Sequence, residues 1–296
     1  MMYHSIVLVK QVPDTANITG NVMQEDGTVN RAKLPAILNH EDRVAMEVAL
    51  QLKDKYSGTI TAITMGPPRA SDILRECLYM GADQGYLISD RKFAGADTLA
   101  TSYVLSEAIK KIGSFDFIFA GRQAIDGDTA QVGPQTAEKL NIPQITYLEE
   151  IRSVKDGTVE ARRKIEGGFE IVLCKLPVLV TVLKDAAEPR PFRAKRVMAF
   201  KGARSLMEIE KLADGNPLLS VESLVNEYES RSLFIKTLTM DDLHLDAARC
   251  GVHGSPTKVY KVESVVLSGG EHEMIEPTKV GIGKLIDKLM EDHILG

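Results

Sequence analysis

Two hydrophobic rhythms alternate through the first half of the chain. Residues 5–10, "SIVLVK", are a short apolar run rich in β-branched side chains, the pattern of a buried strand. Residues 39–56, "NHEDRVAMEVALQLKDKY", instead space Val44, Ala45, Val48, Ala49 and Leu52 at a helical period. Acids stand in the first turn of that helix and lysines in the last, where each complements the helix dipole. The alternation continues with a strand at 58–66, a helix at 69–81, the strand "QGYLISD", and a helix at 96–113 opened by an Asp97-Thr98 cap. "FDFIFAG" predicts a further strand, and a helix is expected from Thr129 to Leu140. Between the first strand and first helix, residues 16–31 read as a hairpin flap punctuated by Gly20 and Asp26-Gly27.

Strands separated by helices of this length require right-handed crossovers and a parallel sheet covered on both faces. The expected fold is therefore α/β, a doubly wound, mostly parallel sheet. Ligands of such sheets sit beyond the carboxyl ends of the strands. That directs attention to "VKQVPD", "LNHED", "MGPPR", "GADT" and "AGRQAIDGDTAQVGP".

After residue 141 the rhythm changes. "ITYLEEIRSV", "GTVEARRKIEGGFEIVLCKL" and "PVLVTVLKD" read as antiparallel strands, with turns at Asp156-Gly157 and Gly167-Gly168. A basic loop, "EPRPFRAKR", and a polar helix-rich stretch follow. From residue 227 the chain offers too little apolar surface for an independent core, so an arm at 227–296 is expected to pack on another surface, beside a domain at 1–226.

Composition narrows the function. A net charge of -5 gives no electrostatic footprint for nucleic acid, and 5% aromatics with no tryptophan argue against base-stacking platforms. No apolar run reaches the roughly 18 residues of a membrane span. Cys77, Cys174 and Cys250 lack CxxC spacing, and the six histidines lack paired spacing, so neither disulfides nor a metal centre is expected. A reducing, cytoplasmic setting is the expectation.

The junction at 121–135 carries the chemistry. Glycines admit close approach of a ligand to the backbone, and Asp128 or Thr129 is placed to cap the following helix, whose first-turn amides suit a pyrophosphate. Pro134 is tolerable there because its clash falls on the carbonyl of Ala130, at the helix start. Acids beside a phosphate repel it, so these acids are expected to cap helices or hold ribose hydroxyls.

Together "VKQVPD", "N-x-x-D…A-x-E-x-A", "T-x-G-P…MGAD", "QAIDGDTAQVG", "EGGFE…LPVLVTV", "EPR" and "GSPTKV" resemble the β subunit of electron-transfer flavoproteins, over residues 5–200 and again at 251–259. The resemblance implies an adenine-nucleotide-hydrolase-like α/β fold, a heterodimer with an α subunit, and a C-terminal arm on that partner. "QAIDGDTAQVGP" and "FAGADT" are similar to the electron-bifurcating subgroup, in which the site holds an FAD reduced by NADH. Electrons then pass to ferredoxin or flavodoxin and to the α-subunit FAD, which feeds a dehydrogenase or reductase of the acyl-CoA or hydroxyacid type. Classical members carry AMP instead, and AMP stays open here, as does a non-redox adenine-nucleotide-binding role. The contacts that the resemblance implies are Leu8, Lys10, Asn39, Asp42, Met65, Gly66, Asp97 and Thr98. From the junction come Gly121, Arg122, Gln123, Ala124, Ile125, Asp126, Gly127, Asp128, Thr129, Ala130, Gln131, Val132, Gly133, Pro134 and Gln135. Gly127 and Gly133 are expected to leave room for a diphosphate. No side chain is expected to perform acid–base chemistry, because a flavin carries the reaction.

Two tempting motifs fail on placement. "KVGIGKLI" lacks P-loop spacing, and "SGGEHE" stands in the tail rather than after the first strand.

Overall fold

The computed structural model describes residues 2–14, 35–216, 218–258, 274–292 and 294–295. The flap expected at 16–31 and the motif "SGGEHE" lie outside the described residues. β1 (Tyr3–Leu8) leads through a two-stranded ribbon, β2 (Gln11–Pro13) with β3 (Ala36–Leu38), into α1 (His40–Tyr56). There follow β4 (Gly58–Met65), α2 (Ser71–Met80), β5 (Gln84–Ile88), α3 (Thr98–Ile112), β6 (Phe117–Gly121) and α4 (Val132–Leu140). Then come β7 (Gln144–Lys155), β8 (Thr158–Ile165), β9 (Gly168–Lys175), β10 (Val178–Val182) and α5 (Ala194–Phe200). The described elements end with β11 (Arg204–Ser205), α6 (Leu206–Ala213), α7 (Val221–Ser230), β12 (Phe234–Leu238) and α8 (Lys279–Glu291).

The main sheet has the order β11-β12-β5-β4-β1-β6-β10-β7-β8-β9, parallel from β11 to β7 and antiparallel across β7, β8 and β9. Strand β1 explains the two faces. Val7 joins the cluster packed by Val44, Ala45, Val48, Ala49 and Leu52 of α1 with Ile73 and Leu74 of α2. Ile6 and Leu8 turn the other way, towards Tyr103, Val104 and Ala108 of α3 and Ala137 of α4. Burial on both faces is why the strands read as continuous apolar runs, while α1 shows a stripe.

Two expectations need correction. The run at 178–182 is not antiparallel: β10 lies between β6 and β7, parallel to both, and all five of its residues are buried. Its unbroken apolar character marks an interior parallel strand. The basic stretch after Arg190 is not all loop, because residues 194–200 form α5, and Arg196 donates to the carbonyls of Leu78 and Ala82 at the carboxyl end of α2. The chain divides into compact units at Lys258 and Val259. Within the first unit, β12 extends the sheet by pairing Lys236, Thr237 and Leu238 with Tyr86, Leu87 and Ile88 of β5. In the second unit, α8 exposes Val280, Ile282, Leu285, Ile286 and Met290. No helix among the described residues is long and apolar enough to cross a membrane.

A buried ion pair fastens the "EPR" segment to α1. Glu47, with 4% of its side chain exposed, receives Arg190 Nε at 2.8 Å, Nη2 at 2.9 Å and the Arg190 backbone N–H at 3.1 Å. Removing one partner strands the other charge away from water. Arg190→Ala is expected to cost about 3–5 kcal/mol in urea unfolding, and Glu47→Leu combined with Arg190→Met to recover most of that loss. Equal losses in the single and double variants would assign the effect to packing rather than to charge.

Candidate functional site

The first turn of α1 organises the loops at the sheet's carboxyl edge. The chain runs outward from β1 to β4 and β5, then returns to place β6 on the other side of β1. The β1/β6 boundary is therefore the switch point at which doubly wound sheets open a crevice. Asp42 spans it: Oδ2 accepts the Lys10 N–H at 2.8 Å and Oδ1 accepts the Gly121 N–H at 3.0 Å. Gly121 has no alternative, since a Cβ there would lie 2.5 Å from Asp42 Oδ1 and 2.7 Å from the Glu41 carbonyl carbon.

Asn39 and Glu41 hold the next turn of the junction. The wholly buried Asn39 donates Nδ2 to the Gln123 carbonyl at 2.9 Å and accepts the Ile125 N–H at 3.3 Å. Glu41 accepts the Gln123 N–H at 2.9 Å and pairs with Arg122 Nη2 at 3.1 Å. That bond holds the Arg122 guanidinium above its ordinary pKa. The Arg122 N–H donates to Val182, joining the junction to β10. Further out, Lys10 Nζ meets Asp126 at 2.7 Å, and Gln123 Nε2 donates to Asp128. Glu41 was not among the predicted contacts. Its signal was legible: residues 41, 45, 48 and 52 share one helical face, so an acid stands on the apolar stripe of α1 and needs a buried donor.

The helix start differs from expectation. α4 begins at Val132, with Gln131 at its N-cap position and no side-chain cap, so neither Asp128 nor Thr129 caps it. Asp128 and Ala130 both adopt φ of 53°, a left-handed conformation that breaks the helix before it can start at Thr129. Pro134 is the third residue of α4, with its missing N–H in the unpaired first turn. Left uncapped, the N–H groups from Thr129 to Gly133 find no acceptor among the described residues. Alternating backbone hand across 128–130 followed by a helix N-terminus makes a concave array of donors suited to a phosphate or diphosphate. Ala124 supplies the preceding turn by accepting the N–H groups of Gly127 and Asp128.

The two glycines expected to admit a diphosphate behave differently. A Cβ on Gly127 would meet nothing within 4 Å, whereas one on Gly133 would lie 2.9 Å from Thr181 Cγ2. Gly133 lets α4 pack closely on β10, with no room on the side where a Cβ would stand. Other predicted contacts are peripheral. Leu8 is in the core, and the Gly66 N–H is taken by the Ile88 carbonyl. Met65 is half-buried at the end of β4. Thr98 donates Oγ1 to Gln131 at 3.0 Å and accepts from Gln135 at 3.3 Å, bridging α3 to the α4 start. Asp97 caps α3 through the N–H groups of Leu99 and Ala100. A polar hollow of about 400 Å³ lies apart from the crevice, against β7 and β8; its Glu149 and Arg162 already pair at 2.9 Å.

The fold and crevice define the class: a doubly wound α/β protein whose ligand edge is set by buried side chains and faced with backbone amides. The family described as "Electron transfer flavoprotein domain" matches residues 26–209. The chain is 40% identical over 290 residues to the electron transfer flavoprotein subunit beta of Clostridium acetobutylicum, covering 98% of this chain and 99% of that protein. It is 41% identical over 293 residues to the caffeyl-CoA reductase-Etf complex subunit CarD of Acetobacterium woodii, with the same coverage. Identity to Protein FixA of Bradyrhizobium diazoefficiens is 38% over 292 residues, covering 97% and 91% of the two chains. The chain belongs to the electron transfer flavoprotein family, as a β subunit.

Asp42 yields a pH test. Burial pushes its carboxyl up to about 7, against the opposing pull of the Lys10, Asn39 and Gly121 donors. The unfolded value is about 3.9, so the folded state binds the proton more tightly. Its stabilising contribution is full below pH of about 4 and is lost as pH rises through about 7. In urea unfolding at pH 5 to 8, the wild type should lose stability relative to Asp42→Asn, by up to about 1.4 kcal/mol per pH unit. A constant difference across that range would mean that the carboxylate stays ionised.

Proposed function

We propose that this chain is the β subunit of an electron-bifurcating flavoprotein complex and holds FAD at the junction between β6 and α4. The run of N–H groups from Thr129 to Gly133, without an acceptor among the described residues, carries this reading, because such a run suits a phosphate or diphosphate. The open space at Gly127 is consistent with a diphosphate lying across the loop. Two relatives bear names that tie them to reductase complexes: the CarD protein above, and the acryloyl-CoA reductase electron transfer subunit gamma of Anaerotignum propionicum, 40% identical over 300 residues.

FAD, when bound, supplies the redox chemistry: it takes hydride from NADH and releases electrons singly. The residues of this chain bind and orient. Asp42, Glu41 and Asn39 fix the loops, and the 129–133 amides would hold the phosphates. Lys10 and Asp126 stand at the outer rim, where they neutralise each other. The remaining parts of the reading are an α subunit that shares the flavin chemistry, ferredoxin or flavodoxin as one acceptor, and an acyl-CoA-type or hydroxyacid dehydrogenase as the other, all in the cytoplasm.

The purified complex is expected to contain two FAD per heterodimer and to bleach at its flavin band on addition of NADH. Gly127→Asp should expel the β-side flavin selectively, by placing a carboxylate where the diphosphate lies. One FAD and one AMP per heterodimer, with no response to NADH, would falsify the bifurcating reading in favour of a classical electron carrier.

The expected contact with the α subunit involves α8. Its exposed Ile282, Leu285 and Ile286 share one helical face, and burial of such a stripe needs a second surface. Ile282→Asp with Ile286→Asp should reduce recovery of the α subunit in co-purification by at least about 10-fold, as expected for charges placed in an apolar contact. Undiminished recovery would show that α8 is not part of that contact.

A further inference from the structure

The Asp97 carboxylate has no acceptor position left for a ligand. Oδ1 accepts the N–H groups of Leu99 and Ala100, each at 3.0 Å. Oδ2 accepts the Thr257 N–H at 3.1 Å and its Oγ1–H at 2.8 Å. A carboxylate offers about four acceptor sites, and all are filled. Burial raises the Asp97 pKa, yet the donors from Ala100 and Thr257 outweigh it and hold the carboxyl below its ordinary range. The Asp97 N–H is also engaged, donating at 2.8 Å to Ser255 Oγ, which in turn donates to the Gly251 carbonyl at 2.6 Å.

This contact is the innermost part of a close dock. A Cβ on Gly251 would lie 2.2 Å from the Lys92 carbonyl oxygen, and one on Gly95 would lie 2.5 Å from Val252 Cγ2. The segment 251–257 thus presses on 92–97 with no room for extra atoms, just before the chain leaves its first unit at Lys258. The neighbouring residue faces the other way. Thr98 bonds the side chains of Gln131, within the 129–133 run, and Gln135, just beyond it, and Ser102 donates to Gln135 at 3.1 Å.

We propose that Asp97 is a positioning residue that couples occupation of the 129–133 amide array to the docking of residues 251–257, and so to the point at which the C-terminal segment departs. An anion drawing the array inward moves Gln131, Gln131 bears on Thr98 in the first turn of α3, and the same turn presents Asp97 to Thr257. The coupling is reciprocal by linkage: releasing 251–257 must weaken anion binding by the same factor that binding tightens the dock. The proposal rests on the reading of the junction as a phosphate site, and does not depend on whether that site holds FAD or AMP.

Asp97→Asn separates the two roles of the carboxylate. The amide can satisfy only one side: with its oxygen on the Leu99 and Ala100 N–H groups its NH2 confronts the Thr257 donors, and turned about it confronts the α3 amides. Thr257→Val leaves the α3 cap intact and removes only the Oγ1 bond. The probe is ADP, which carries adenine and diphosphate without a flavin. It is titrated into the full chain co-purified with its α subunit, after removal of any nucleotide from the β side. In the wild type, ADP should slow hydrogen exchange across 251–258 by at least about 5-fold, the lower end of ordinary coupling strengths. Both variants should lose that protection and bind ADP more weakly by a matching factor. ADP binding that leaves 251–258 unprotected, or variants with wild-type affinity, would overturn the coupling while leaving the phosphate site standing. No ADP binding would overturn both. Coupling to ADP, together with an as-purified complex that NADH does not bleach, would sustain this inference and sink the FAD assignment.

Discussion

Everything at the carboxyl edge of the sheet depends on one buried carboxylate spanning two strands. Asp42 fastens the N–H after β1 to the last N–H of β6, the two parallel strands on either side of the switch point. Without it, the buried Gly121 donor would have no acceptor, at about 1–3 kcal/mol. The cost of using an acid is desolvation, visible as a pKa near 7. Geometry leaves little freedom, since Gly121 admits no side chain against α1. The separation of the two loops, and hence the width of the crevice, is fixed from beneath by the helix.

Buried charges recur around α1 with the same purpose. Glu41 orients Arg122 and Glu47 seizes Arg190, each tying a distant segment to the same helix by more than one bond. Apolar residues of equal volume would stabilise comparably. What charge adds is direction: a carboxylate accepting a backbone N–H and a side-chain N–H at once fixes both the position and the rotation of the bound segment. Segments pinned in this way can present a rigid row of amides without making further bonds to it.

Legibility in the sequence followed the range of the interaction. Local signals were reliable: the apolar stripe of α1, its acids and lysines at opposite ends, and the Asp97 cap on α3 are all set within a few residues. The start of α4 was misjudged because Thr129 looks like a cap, whereas left-handed residues on either side of it decide the backbone. Nothing in the composition announces that an alanine takes a positive φ. β10 was misassigned because its neighbours in sequence form an antiparallel hairpin, while its neighbours in space, β6 and β7, come from elsewhere in the chain. The contact of Asp97 with Thr257 spans 160 residues and has no periodic signature at all. Glu41 is legible as an acid on an apolar stripe, a signal that lies in the helix rather than in the loop it holds.

The resulting site divides labour between side chains and backbone. Asn39, Glu41, Asp42 and Asp97 direct their polar atoms at the protein, while the donors left free belong to the main chain from Thr129 to Gly133. Main-chain amides are indifferent to which phosphate-bearing ligand they meet, so discrimination must come from shape at the loop surface, where Gly127 faces open space. A scaffold built this way can change nucleotide without disturbing its core. The residues that hold the loops are buried and bonded to them, whereas Gly127 leaves open space where a side chain would stand. Substitution at Gly127 therefore asks little of the fold, while substitution at Asp42 disturbs the fold first.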